Sequence, residues 1–208
     1  MKNNKVGKLI ALEGIDGSGK STQARFLANK LEAVLTFAPG ATDMGKTLRS
    51  LVLDHENVSF ITETLLMLAD RAIHVDQVIT PNILAGKWVV CDRFNGSTLA
   101  YQGYGRGLDI TTLNLLIAFS SHNVSPDLNI LLDVPVDEAL KRQGKRSKDR
   151  DRLESQSVEF YEKVRQGYLE IAAANQEYWC VIDGLAEAVE VEAQILKSIK
   201  TKFGKSLY

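Results

Sequence analysis

Gly14-Ile15-Asp16-Gly17-Ser18-Gly19-Lys20-Ser21 is the stretch on which the reading of this chain turns. It fits Gly-x-x-x-x-Gly-Lys-(Ser/Thr), the pattern of a loop that cradles phosphates. Its surroundings agree with that reading. The apolar run Lys8-Leu9-Ile10-Ala11-Leu12 leads in as a buried strand would. Downstream, Phe26, Leu27 and Leu31 are spaced as on one face of a helix. Glycines let such a backbone turn so that several N–H groups point into one concavity, and the start of the helix adds its positive dipole end. Gly14, Ile15, Asp16, Gly17, Ser18, Gly19, Lys20, Ser21 and Thr22 are therefore the expected nucleotide-binding residues. Lys20 would reach the β- and γ-phosphates of ATP, and the Ser21 hydroxyl would ligate Mg²⁺.

The rest of the composition sets bounds. The 208 residues make one domain of ordinary size, spanning 1–208, with 45% hydrophobic and 25% charged residues. A net charge of −1 advertises neither nucleic acid nor an anionic membrane as partner. No apolar run approaches a bilayer span, and 9–12 is too short for a signal-peptide core, so a cytoplasmic location is expected. Cys91 and Cys180 have no metal-ligand spacing and read as small apolar residues within strands.

Short apolar runs at 9–13, 33–37, 88–92, 128–134 and 179–183 alternate with helical patterns at 22–32, 45–53, 59–84, 111–120, 136–143, 153–175 and 186–202. The runs lack polar alternation, as strands buried on both faces do. This predicts an α/β domain of three layers, with a five-stranded parallel sheet and helices on both faces. Ligands in such folds bind beyond the carboxyl ends of the strands. The phosphate loop, 37–40, Asp92-Arg93 and the segment after Asp133 all fall there. At a strand end, an Asp can hold Mg²⁺ and an Arg can clamp a phosphate through two parallel hydrogen bonds. Asp92 is thus a second candidate metal ligand beside Ser21.

Several further blocks resemble the bacterial thymidylate kinases. They are Leu12-Glu13 running into the loop and on to Thr22, Ala69-Asp70-Arg71-Ala72 with His74, and Cys91-Asp92-Arg93-Phe94. Ser97-Thr98-Leu99-Ala100-Tyr101-Gln102-Gly103 and Gly105-Arg106-Gly107-Leu108-Asp109 follow, then Pro126-Asp127-Leu128 through Leu132-Asp133-Val134. Asp151-Arg152-Leu153-Glu154 and Val164-Arg165-Gln166-Gly167-Tyr168-Leu169-Glu170 complete the likeness, which covers roughly residues 8 to 175. The resemblance implies transfer of the γ-phosphoryl of ATP to dTMP, giving dTDP and ADP, in a homodimer.

The resemblance also implies roles for individual residues. Arg93 and Arg49 would bind the acceptor phosphate, with Lys20, Asp16 and Arg93 in the catalytic group. Met67 and Arg71 share a helix face with His74, which the family turns toward thymine, and Leu65, Leu68, Ala72 and Val75 form the neighbouring buried stripe. Ser97 and Gln102 would add polar contacts to the base, and Tyr101 would pack near the deoxyribose. Phe37 and Pro39 would floor the base site, with a cis Ala38–Pro39 bond. Residues 144–151 would form a mobile lid offering Arg146 and Arg150, with Arg152 just beyond, to the transferring group, since the loop itself has no arginine. Asp151 with Glu154 suggests a capped helix start there.

The departures lie around the base and sugar. Phe37-Ala38-Pro39-Gly40-Ala41-Thr42 replaces Arg-Glu-Pro-Gly-Gly-Thr, Met67 stands where a stacking Phe is usual, and Asn95-Gly96 takes a place often held by Asp. These changes keep dUMP or a 5-substituted dUMP as an alternative acceptor. A nucleotide-dependent switch is the reading from another class, and its guanine-reading signature has only the poor match Asn29-Lys30-Leu31-Glu32.

Overall fold

β1 (Leu9–Glu13) is the centre of the molecule, and every one of its residues is buried. Its pleat sends Ile10 and Leu12 to one face and Leu9 and Ala11 to the other. The first pair packs with Leu27, Ile130, Ile182 and Ile195, the second with Val75, Ile79, Val89 and Phe94. A strand apolar on both faces needs cover on both faces, and each fully buried Leu or Ile adds roughly 1.5–3 kcal/mol. A computed structural model describes residues 6–55, 57–144 and 156–204.

Five strands, β1, β2 (Val34–Phe37), β3 (Val89–Asp92), β4 (Leu128–Asp133) and β5 (Trp179–Asp183), form one sheet in the order β2-β3-β1-β4-β5. All pairings are parallel, with Ile10 opposite Val90 and Leu128, for example. The expected five-stranded parallel sheet is thus present, and three strand bounds differ from expectation by a single residue. Helices α1 (Lys20–Leu31) and α9 (Ala188–Phe203) cover one face. The other face carries α8 (Val158–Ala174) and the stretch Val75–Ile79 that continues α3 (Phe60–His74). Helices α2 (Asp43–Leu53), α6 (Ile110–Ser120) and α7 (Val136–Gly144) complete the layers. No helix among the described residues is long and apolar enough to cross a membrane.

Three expectations about helices change. The single helix expected over 59–84 is α3, a π-helical stretch Val75–Ile79 and α4 (Thr80–Leu84) in succession. Pro81 has no N–H to give to the preceding turn, so the helix widens just before it. A short helix α5 (Asn95–Thr98) and a second π-helical stretch Leu99–Gly105 stand where no helix was expected. Helix α8 begins at Val158, where the Ser157 hydroxyl accepts from the Phe160 N–H at 3.2 Å. The suggested Asp151–Glu154 cap, Arg146, Arg150 and most of the 144–151 segment lie outside the described residues.

Candidate active site

The carboxyl ends of β1, β2 and β3 open into a cavity of about 510 Å³, a size suited to small organic ligands. All nine expected substrate residues line it: Phe37, Pro39, Arg49, Met67, Arg71, Arg93, Ser97, Tyr101 and Gln102. Asp16, Gly17, Gly19, Lys20, Ser21 and Asp92 line its other end. Gly14, Ile15 and Ser18 are buried in the loop without lining the cavity, and Thr22 is exposed.

At the loop, Gly17 and Gly19 have φ of 86° and 95°, the left-handed region that glycine enters without penalty. Space is also limiting at Gly17, where a Cβ would come within 2.3 Å of the Ala139 carbonyl oxygen. The Lys20 ammonium donates to the Ile15 carbonyl at 2.7 Å, held against its own loop. Burial and then the nearby Arg93 charge lower its pKa to about 8, with Asp16, Asp92 and Glu13 resisting. The Ser21 hydroxyl donates to Asp92 Oδ2 at 2.5 Å. These two hard oxygen groups fit Mg²⁺, which uses one or two protein ligands and takes the rest from phosphates and water. Among the described residues no cluster of three or more His, Cys, Asp or Glu could hold a metal by itself.

Arg93 is the hub between the two ends. Its backbone has φ 71°, unusual for a side chain of this size and a mark of a site that over-determines it. Its N–H is anchored to the Leu12 carbonyl at 2.9 Å. From the guanidinium, Nη1 donates to the Gly14 carbonyl at 3.1 Å, Ser97 Oγ at 3.1 Å and the Tyr168 hydroxyl at 3.2 Å. Nη2 donates to Asp16 Oδ1 and, at 3.1 Å, to the Tyr101 hydroxyl. Tyr101 in turn donates to Asp16 Oδ2 at 2.7 Å. Burial alone would raise the Asp16 carboxyl, but the Arg93 and Lys20 charges and the Tyr101 hydroxyl override it and hold it at about 2. Such a carboxylate cannot exchange protons near neutrality, so Asp16 orients Arg93 rather than acting as a base.

Beneath this hub lies Glu13, to which the sequence reading gave no role. Fully buried, it accepts from the Phe94 N–H at 2.9 Å, from Ser97 Oγ at 2.6 Å and from the Tyr168 hydroxyl at 3.2 Å. Its only sequence signal is an acid ending an otherwise apolar strand. Tyr168 was equally silent, one tyrosine among apolar helix positions.

At the far end, the Ala38–Pro39 peptide bond is cis, as expected. Arg49 Nη1 donates to the Pro39 carbonyl at 3.1 Å, and Asp70 Oδ1 accepts from the Gly40 N–H at 3.0 Å. Arg71 is 5% exposed and lies 4.2 Å from the Phe94 ring centre. Its Nε and Nη1 make no hydrogen bond to any described residue. Buried guanidinium N–H groups are ordinarily paired, so these two mark a place for a ligand acceptor. His74, on the same face one turn further along α3, does not line the cavity. It is fully buried, and its Nε2 bonds to Thr36 Oγ1 at 2.7 Å. Burial and the Arg71 charge lower its pKa to about 3, keeping it neutral. The expected buried stripe also breaks, because Leu65 is 54% exposed while Leu68 and Val75 are buried.

Comparison with known proteins gives this cavity its context. A family model described as thymidylate kinase matches residues 12–195. A thymidylate kinase of Prochlorococcus marinus (strain NATL1A) is 41% identical over 213 residues, covering 94% of this chain and 99% of its own. One from Carboxydothermus hydrogenoformans is 42% identical over 191 residues, covering 89% and 93%. The crystal structure of thymidylate kinase from Ehrlichia chaffeensis superposes with a TM-score of 0.77 at 32% identity, covering 93% of this chain and 98% of its own. With phosphate loop, parallel sheet and cavity-lining arginines in one arrangement, the chain belongs to the thymidylate kinase family, ATP-dependent enzymes that phosphorylate dTMP to dTDP.

Proposed function

We propose that ATP and dTMP meet in this one cavity, with the triphosphate on Gly14–Thr22 and the thymine at Arg71. The observation carrying this reading is the pair of unpartnered Arg71 N–H groups, in the same cavity as the phosphate loop. Arg93 and Arg49 hold the acceptor phosphate between these ends, and Met67, Phe37 and Pro39 bound the ring. The attacking oxygen of a nucleoside monophosphate is already ionised, so no general base is needed. Positioning and charge carry the reaction instead. Lys20 leaves the Ile15 carbonyl for the β- and γ-phosphates, and Asp16 with Tyr101 keeps the Arg93 guanidinium in a fixed plane. Mg²⁺, held through Ser21 and Asp92, would neutralise phosphate charge when bound. Arg146 and Arg150, the two arginines of 144–151, would add positive charge at the transferring group.

A homodimer is the second part of this reading. It is supported by large apolar side chains exposed on two adjacent helices, Ile61 and Leu65 of α3 and Leu115 and Phe119 of α6.

Replacing Arg71 with Ala tests the acceptor end. A hydrogen bond to a charged group contributes about 1.5–3 kcal/mol, so KM for dTMP should rise roughly ten- to a hundred-fold with KM for ATP little changed. Equal rises for both substrates would remove Arg71 from the base.

A further inference from the structure

Gln102 sits on the π-helical stretch Leu99–Gly105 and lines the acceptor end of the cavity. A glutamine amide has a donor end and an acceptor end, and a half-turn exchanges them. Here the exchange is blocked from behind. Gln102 Nε2 donates to Glu63 Oε1 at 3.0 Å, and an ionised carboxylate can only accept. The amide oxygen is therefore the end left for a ligand. Glu63, on α3, is fully buried and is itself clamped. Arg106 Nε donates to its Oε1 at 3.3 Å and Arg106 Nη2 to its Oε2 at 3.2 Å. The Arg106 guanidinium lies 4.6 Å from the ring centres of both Phe60 and Phe160, and its Nη1 donates to Gln156 Oε1 at 2.7 Å. A buried ion pair of this kind is weak evidence of stability but a strong constraint on geometry.

We propose that Glu63, held by Arg106, is a positioning residue that locks the Gln102 amide with its oxygen toward the base, so that the site reads the protonated N3 of a 2,4-dioxopyrimidine and rejects a 4-aminopyrimidine. The inference rests on the base lying between Arg71 and Gln102, as proposed above. Thymine and uracil carry N3–H beside a 4-carbonyl, whereas cytosine has a bare N3 lone pair beside a 4-amino group. Against Gln102 Oε1 the N3–H makes a hydrogen bond, while the cytosine lone pair sets acceptor against acceptor. Against the free Arg71 N–H groups the 4-carbonyl accepts, while the 4-amino group sets donor against donor. Because the 5-methyl plays no part, Glu63 separates dTMP from dCMP and leaves dTMP against dUMP untouched.

Glu63→Gln frees the lock, since the new amide can either donate to or accept from Gln102. The measurement is kcat/KM for dTMP, dUMP and dCMP, with KM for ATP. The dTMP to dCMP ratio should fall about tenfold or more, as loss of one specific hydrogen-bond mismatch implies. The dTMP to dUMP ratio and KM for ATP should stay within about twofold, which a general loosening of the site would not allow. An unchanged dTMP to dCMP ratio, or a parallel fall in both ratios, overturns the proposal. Because the variant leaves the Arg106 charge without its counter-ion and can fail to fold, a second measurement uses the wild type. In a crystal structure with dTMP, Gln102 should bridge Glu63 and N3 with both contacts at hydrogen-bond length. A base in place with Gln102 turned away from Glu63 overturns the lock alone. A base bound elsewhere overturns the acceptor-site reading with it.

Discussion

Lys20 and Asp16 sit side by side under opposite pressures, and each leaves a measurable trace. With no phosphate beside it, burial and Arg93 bring Lys20 down to about 8. Triphosphate binding supplies negative charge and raises that value again. At pH 8 ATP binding should thus take up about half a proton, falling to a small fraction near pH 7. Binding heats measured in two buffers of different ionisation enthalpy read this directly, and no uptake at pH 8 would mean a fully charged lysine in the free enzyme. Asp16 runs the other way, its folded value of about 2 lying below the ordinary carboxyl range. A depressed carboxyl contributes stability that is fully present above the unfolded pKa and is lost as pH falls through the folded one. Asp16→Asn should therefore cost about 2 kcal/mol at pH 7 and almost nothing below pH 2. Urea unfolding midpoints of the two proteins across pH 7 to 2 should converge at the acid end; parallel curves would show that the Arg93 pairing contributes no net stability.

Among the elements, α8 packs extensively against the π-helical stretch that carries Tyr101 and Gln102. It depends on Gly167, where a Cβ would come within 2.4 Å of Tyr104 Cγ and 2.7 Å of Tyr104 Cβ. The Tyr104 ring root cannot move without its backbone, so Gly167→Ala should destabilise by roughly 1–3 kcal/mol despite the better helix propensity of alanine. Because α8 also carries Tyr168, which bonds Arg93, kcat should fall as well. A thermal midpoint at or above wild type would overturn this packing argument. The same contact explains what sequence could and could not reveal. Strands and the phosphate loop were legible because burial on both faces and glycine spacing leave local patterns. The segment 95–105 was not, because Gly96, Gly103 and Gly105 answer to neighbours rather than to a helical period. Glu13 meets Tyr168 across 155 positions and Glu63 meets Arg106 across 43, so neither pairing leaves a local signal. Arg49, Arg71 and Gln102 were found only through family likeness, since isolated polar residues on helices usually read as surface. The exposure of Leu65 was missed because a periodic apolar stripe cannot tell a core from a face that meets solvent or a second copy.

At the scale of the whole molecule, that exposed face belongs to the same helix as the acceptor site. Helix α3 turns Met67 and Arg71 into the cavity, while Ile61 and Leu65 stand out at 64% and 54% exposure. Beside it on α6, Leu115 and Phe119 are 69% and 83% exposed. Large side chains exposed together on adjacent helices mark an association surface, and an isologous pairing through α3 and α6 would close it in a two-fold dimer. Phe119→Asp places a charge where the apolar contact would form, and a desolvated unpaired carboxylate is costly. Light scattering should accordingly give about half the wild-type mass for this variant. If pairing also steadies α3, the monomer should bind dTMP more weakly, while binding of ATP, proposed to sit on the loop between β1 and α1, should be unaffected. That asymmetry distinguishes a dimer that supports the acceptor site from one that only covers apolar surface. A wild-type protein that is monomeric at tens of micromolar would overturn the dimer, and a Phe119→Asp protein that stays dimeric would move the interface off α6.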